Sequence, residues 1–173
     1  MLERLPGEAL EDALAVDVVV AQSRQAARFW ALREGIVEGR SKRRYHVRSD
    51  VSVRLGAVPQ LVATLKQMLA QEFPGWISQA YGHMSDGNIH FNALPPENPF
   101  DAEARQIGSR IFDITLSLQG SFSAEHGIGR SKADWFAKTA APARLDLLRR
   151  IKSALDPDWR MNPGCWLTRP EQT

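Results

Sequence analysis

Asp86-Gly87 stands between two short runs, Trp76 to His83 and Asn88 to Ala93, and it constrains the fold more than any other pair in the 173 residues. Asp-Gly favours the two-residue type I′ hairpin loop, whose backbone twist matches that of antiparallel strands. With such a loop, Ser85 faces Asn88, Met84 faces Ile89 and His83 faces His90. Directly opposed residues on one face of a sheet have Cβ atoms about 4.5 to 5.5 Å apart, close enough for both imidazoles to bind one metal ion. The chain holds only four histidines, so two of them at these positions propose a site.

Hydrophobic periodicity supplies helices to cover the sheet. After a polar start, Asp17-Val18-Val19-Val20 reads as a short apolar strand. Ser23 can cap a helix from about Arg24 to Glu38, which places Trp30, Arg33 and Val37 on one face. Tyr45 to Leu55 alternates well enough for a strand, with Val47, Val51 and Val53 on one side. Pro59 can open a helix whose stripe is Leu61, Leu65, Met68 and Leu69, and Pro74-Gly75 stops it. Pro95-Pro96 breaks the hairpin pattern, after which Ile107, Ile111, Ile114 and Leu118 recur at helical spacing as far as Gly120. Next, "SFSAEHGIGRSK" (121–132) reads as a short strand running into a glycine-punctuated turn, with Gly127 and Gly129 at positive φ. A last helix, opened by Pro142, carries Leu145, Leu148, Ile151 and Leu155 and ends before Asp156-Pro157. The tryptophans read as core. This order predicts an α+β fold, an antiparallel sheet with helices packed on one face.

A chain of this length suits one domain that buries roughly 70% of its unfolded surface; a second large domain does not fit. A net charge of +2 with 24% charged residues gives no general case for nucleic acid or membrane binding, and Arg40-Ser41-Lys42-Arg43-Arg44 reads as a solvated loop. The single cysteine, Cys165, excludes an internal disulfide and fits a reducing compartment. No signal-peptide pattern or apolar span of about 20 residues is visible. The expectation is a soluble, cytoplasmic protein.

Two imidazoles are an incomplete site, because a divalent ion such as Zn²⁺ takes about four ligands. Glu125-His126 offers a carboxylate and an imidazole side by side; on a strand these would point to opposite faces, so only one is easily a ligand. If Glu125 completes a His₂Glu set, one coordination position stays open, as in catalytic rather than structural sites. Zinc, manganese and iron all suit these donors.

"GHMSDGNIHFN", "SFSAEHGIGRSK" and "ALDPDWRMNPGCWL" together resemble the C-terminal part of FAD-linked 2-hydroxyacid dehydrogenases, the group of D-lactate dehydrogenase, the glycolate oxidase flavin subunit and D-2-hydroxyglutarate dehydrogenase. "FWALREGI" and "RSDVSVRL" match two further segments of that family, in order. The resemblance implies a ferredoxin-like cap over a separate flavin domain of the vanillyl-alcohol oxidase type. It also implies metal ligation by His83, His90 and Glu125, with His126 as general base while hydride passes to the flavin. Arg33 matches an arginine that grips the substrate carboxylate, Asn92 a polar contact to substrate, and Asn162 a residue near the flavin.

This sequence also departs from the family. Arg48 stands where D-2-hydroxyglutarate dehydrogenases have a substrate-binding lysine, which keeps the charge but not the shape. Val37 replaces a threonine, Arg54 the usual proline and Cys165 the usual lysine.

The flavin domain is longer than the whole chain, and the family has another strand and helix before the stretch resembling "DVVVAQS". The chain is therefore expected to be a fragment, a split subunit or a truncated product, inactive alone. Its partners would be a small 2-hydroxy acid and an FAD-binding domain or subunit, with a homo-oligomer as a further option. A non-redox metal-binding or regulatory subunit is the competing class, and a metallohydrolase is ranked last.

Overall fold

The computed structural model describes residues 4–13, 15–22, 24–41, 46–83, 85–96 and 101–167. The chain divides into two compact units, residues 1–44 and 45–173. The first carries α1 (Arg4–Glu11) and α2 (Arg24–Ser41). The second carries β1 (Val47–Ser52), a 3₁₀ turn (Leu55–Ala57), α3 (Val58–Glu72), β2 (Ile77–His83), β3 (Asn88–Leu94), α4 (Asp101–Ser117), α5 (Ala133–Thr139) and α6 (Pro142–Leu155). The three strands form one antiparallel sheet in the order β1-β3-β2. Among the described residues the fold is thus α+β, as the patterning predicts.

The central strand owes its place to its composition. Ile89, Phe91 and Ala93 of β3 are buried on one face, together with Val51 of β1. Across from them α3 buries Leu61, Leu65, Met68 and Leu69, the stripe read from its period, and α4 buries Ile107, Ile111 and Ile114. Each such side chain contributes about 1.5 to 3 kcal/mol when taken fully out of water. Trp76 anchors the start of β2, its Nε1–H donating to Glu103 Oε2 at 3.0 Å.

Several expectations fail here for identifiable reasons. Asp17 to Val20 forms no strand; Val19 and Val20 are exposed and pair with no strand among the described residues. A β-branched run needs a partner edge, which local propensity cannot supply. Trp30 lies exposed on α2 rather than in a core. Helices α1 and α5 lack a long apolar period and went unread. On α6 only Leu145 is buried, while Ile151 and Leu155 face outward. Ser23, Lys42 to Tyr45 and Met84 lie outside the described residues, as do the capping and basic-run readings that rest on them.

The segment after α4 matters most for function. Gly120 lets it cross close to β1, since a Cβ there would collide with the Ser52 carbonyl and crowd Val53 and Thr115. Ser121 then makes one antiparallel bridge to Ser52, with bonds of 2.8 and 2.9 Å. The expected strand goes no further. Ala124 N–H donates to the Asp50 carbonyl at 3.1 Å, so two steps along β1 correspond to three along this segment. Such an extra residue bends the backbone and breaks side-chain alternation, as a bulge does.

Candidate metal and substrate site

Because strand side chains alternate, the face of β3 opposite the core carries Asn88, His90 and Asn92. The register extends that polar face to Arg48, Asp50 and Ser52 on β1 and to Gln79, Tyr81 and His83 on β2. One side of the sheet is a core wall and the other is a chemical surface.

His83 does not stand directly opposite His90. It pairs with Asn88, and Tyr81 pairs with His90, because the hairpin loop spans residues 84–87 instead of two. Asp86 Oδ1 accepts the Asn88 N–H at 3.0 Å. Gly87, at φ 71°, lies against the Val53 carbonyl, where any Cβ would collide, and its own carbonyl accepts the Val53 N–H at 3.2 Å. Asp-Gly is used to dock the loop on the end of β1. A register displaced by two residues leaves every side chain on its original face. The histidines therefore stay together as diagonal neighbours, their ring centroids 5.6 Å apart and edge to face.

Glu125 joins them. Its Oε1 lies 3.6 Å from His83 Nε2 and 3.2 Å from His90 Nε2. Donors placed about 2.0 to 2.1 Å from a tetrahedral zinc stand about 3.3 Å from one another, a spacing that the two imidazole–carboxylate distances approach. His126 is not turned away, as strand alternation would require. The bend after Ala124 brings its ring to 5.8 Å from that of His90, stacked. Gly127 and Gly129 follow at φ 73° and 57°, as expected.

The residue not singled out from the sequence is Asp50. It is 1% exposed and pairs with His90 in the register. Its Oδ2 accepts the backbone N–H groups of Glu125 and His126 at 2.9 and 2.8 Å, while Oδ1 faces His90 Nδ1 at 3.7 Å. One ligand-type atom from each of Asp50, His90, Glu125 and His126 lies within 4.8 Å of all the others. Burial pushes the Asp50 carboxyl up, but the two amides and the charges of His126 and Lys132 outweigh it and hold the group below its ordinary value. His90 is pushed down by burial, against the pull of Asp50 and Glu125, and the net shift favours the neutral ring. A signal for Asp50 existed: it is the one acid in a strand whose other phase carries Val47 and Val51.

The other candidates fall as follows. Asn92 is fully buried between Arg48 and Gln79 in the register, with both amide atoms lacking a hydrogen-bond partner. Arg48 is exposed on the same face, its Nε donating to His46 Nε2 at 2.8 Å. Asn162 sits exposed in a turn at φ 47°, its carbonyl accepting the Cys165 N–H at 3.1 Å. Arg33 is exposed on α2, within the other unit, and the side chain of Val37 lies outside the described positions. Arg54 donates to Gln119 Oε1 at 2.6 Å at the surface.

Residues 2–165 match the family of FAD linked oxidases, C-terminal domain. D-2-hydroxyglutarate dehydrogenase of Xanthomonas citri pv. viticola is 36% identical over 160 residues, which are 90% of this chain and 34% of that protein. The protein of the same name from Stutzerimonas stutzeri is 31% identical over 160 residues, again 90% and 34%. The mitochondrial D-2-hydroxyglutarate dehydrogenase of Bos taurus is 32% identical over 157 residues, 90% of this chain and 28% of that one. The chain belongs to the FAD-linked oxidase C-terminal domain family. It spans about a third of the length of the curated relatives it matches. No helix among the described residues is long and apolar enough to cross a membrane.

Proposed function

We propose that this chain is the substrate- and metal-binding cap of a flavin-dependent D-2-hydroxyacid dehydrogenase, which oxidises a D-2-hydroxy acid to the 2-oxo acid. In this reading residues 1–173 act as one cap and the flavin is held by another domain or subunit, so the chain alone is inactive. The observation that carries the reading is the convergence of His83 Nε2 and His90 Nε2 on Glu125 Oε1. A divalent ion held by these three, zinc by preference and otherwise manganese or iron, supplies Lewis-acid lowering of the substrate hydroxyl's pKa. FAD supplies the hydride acceptor.

The remaining work falls to the chain's own groups. His126 keeps Nδ1 toward Asp50 Oδ2 at 3.7 Å, which leaves Nε2 to take the hydroxyl proton as general base. Asn92 is a substrate contact by resemblance; its amide is fully buried and has no hydrogen-bond partner among the described residues. Arg48, exposed on the polar face, pairs with a carboxylate through its guanidinium fork. Arg33 binds substrate carboxylate by resemblance and by the same chemistry. The names of the relatives make D-2-hydroxyglutarate the first substrate to try. Asn162, exposed at its turn, contacts the flavin. The free, half-buried Cys165 fits a reducing, cytoplasmic setting.

The test is elemental analysis of the native chain beside His83→Ala. One divalent ion per chain is expected in the first and little in the second; metal kept by the variant refutes the ligand set. Co-purification with an FAD-bearing partner, followed by dye reduction with D-2-hydroxyglutarate, tests the redox half. A chain that never acquires flavin in that assay returns the reading to a non-redox metal-binding or regulatory subunit.

A further inference from the structure

Asp50 is buried, enters the reading above only as the group that faces His126 Nδ1, and touches both halves of the candidate site. Three contacts define its position. It lies opposite His90 in the β1–β3 register, with Oδ1 3.7 Å from Nδ1. Its Oδ2 accepts the N–H groups of Glu125 and His126, and its carbonyl accepts that of Ala124. Oδ1 itself has no hydrogen-bond partner, and a buried acceptor left this way is costly unless a donor is turned toward it.

Among the described residues the atom turned toward it is His90 Nδ1, at 3.7 Å. An imidazole that carries its proton on Nδ1 has its lone pair on Nε2, and His90 Nε2 is the atom that faces Glu125. We propose that Asp50 is the positioning residue of this site, one carboxylate that selects the Nδ1–H tautomer of His90 and folds the Glu125–His126 peptide back over the sheet. This role deepens the metal reading above and rests on it.

One Asp50 oxygen lies within 4.8 Å of ligand-type atoms of His90, Glu125 and His126, and its contacts favour orienting over ligating. Its Oδ2 is filled by two amides, and Nε2 of both His83 and His90 turns to Glu125, whose side chain is 50% exposed, whereas Asp50 lies behind His90. Carboxylates that hold a ligating histidine through its second nitrogen fix ring direction and raise ligand basicity. Lys132 backs the arrangement. Its ammonium lowers the Asp50 pKa through space and donates to Ser123 Oγ at 2.9 Å, while Ser123 donates to the Gly127 carbonyl at 2.6 Å. The bend that presents Glu125 and His126 is thereby tied at both ends.

Asp50→Asn keeps the shape and an acceptor oxygen for the amides but loses the charge. Zn²⁺ and Mn²⁺ titrations of the full chain, wild type, Asp50→Asn and His83→Ala, are read beside long-range ¹⁵N spectra of the metal-free His90 ring. The expected result is an Nδ1–H tautomer in the wild type that is lost in Asp50→Asn, with metal affinity down about 10- to 100-fold and an unchanged circular dichroism spectrum. Wild-type affinity and tautomer in the variant overturn the proposal while leaving the metal reading intact. Loss of metal as complete as in His83→Ala also overturns it, by making Asp50 a ligand. If the wild type binds neither ion the metal reading fails, and the His90 tautomer alone then upholds or overturns the orienting role. Should Asp50→Asn fail to fold, an Nε2–H tautomer in the wild type still overturns it.

Discussion

Asp50 and Asp156 solve the same local problem and end in different states. Each is a buried aspartate that collects two consecutive backbone N–H groups from an irregular segment. Asp50 takes those of Glu125 and His126; Asp156 takes those of Arg160 and Met161 at 3.0 and 2.9 Å. Asp156 also receives the Lys152 ammonium at 2.6 Å, and that ammonium reaches on to the Met161 carbonyl. Its hydrogen bonds are complete, and the Lys152 bond, against burial and with the two amides, lowers its pKa to about 2. Asp50 keeps one oxygen unpartnered, turned to a histidine. A carboxylate whose partners are all internal ties down a loop, whereas one with an acceptor held in reserve orients a side chain that must bind something else.

Four outcomes break or sharpen this contrast, in falling order of effect. Asp50→Ala leaves two part-buried amides without their acceptor, and should cost on the order of 1 to 3 kcal/mol in urea unfolding; a change under about 0.5 kcal/mol would mean the two amides find other acceptors. Asp156→Ala should destabilise less, because the aspartate itself is less deeply buried, 7% exposed against 1%, and should leave metal content untouched. Equal metal loss in both alanine variants would erase the distinction.

The third outcome concerns acid. A carboxyl whose folded pKa is depressed stabilises the fold above its unfolded value, near 3.9, and loses that stability as pH falls through the folded value. For Asp156 the loss falls between pH about 4 and about 2. Lys152→Met should move its lower end upward, as read from acid unfolding curves. An unchanged curve would show that the ammonium contributes nothing. The fourth and smallest is Arg110→Ala. The Glu72–Arg110 pair has two good hydrogen bonds, at 2.8 and 2.6 Å, yet it is exposed, and exposed pairs contribute little. No resolvable shift in melting temperature is expected, and a large one would mean that burial is not what separates Asp50 and Asp156 from an ordinary surface carboxylate.

Much of this was legible before folding, where the signal was local and periodic. The α3 stripe and the α4 isoleucines came from their spacing, and the face shared by His83, His90 and Asn92 came from the two-residue period of strands. That parity survived an incorrect hairpin register. Asp17 to Val20 shows the opposite case, with strong strand propensity but no edge to join.

What the sequence by itself determined was the set of faces: which residues of the hairpin turn inward and which carry imidazole, amide and charge. These follow from backbone geometry, which repeats every two or 3.6 residues whatever the surroundings. Only the tertiary structure decided the four-residue loop docked on Val53, the bend that brings both Glu125 and His126 to His90, and the choice of Asp50 as the carboxylate behind them. Those depend on contacts between segments some 75 residues apart, where hydrogen bonds between irregular backbones leave no period to read.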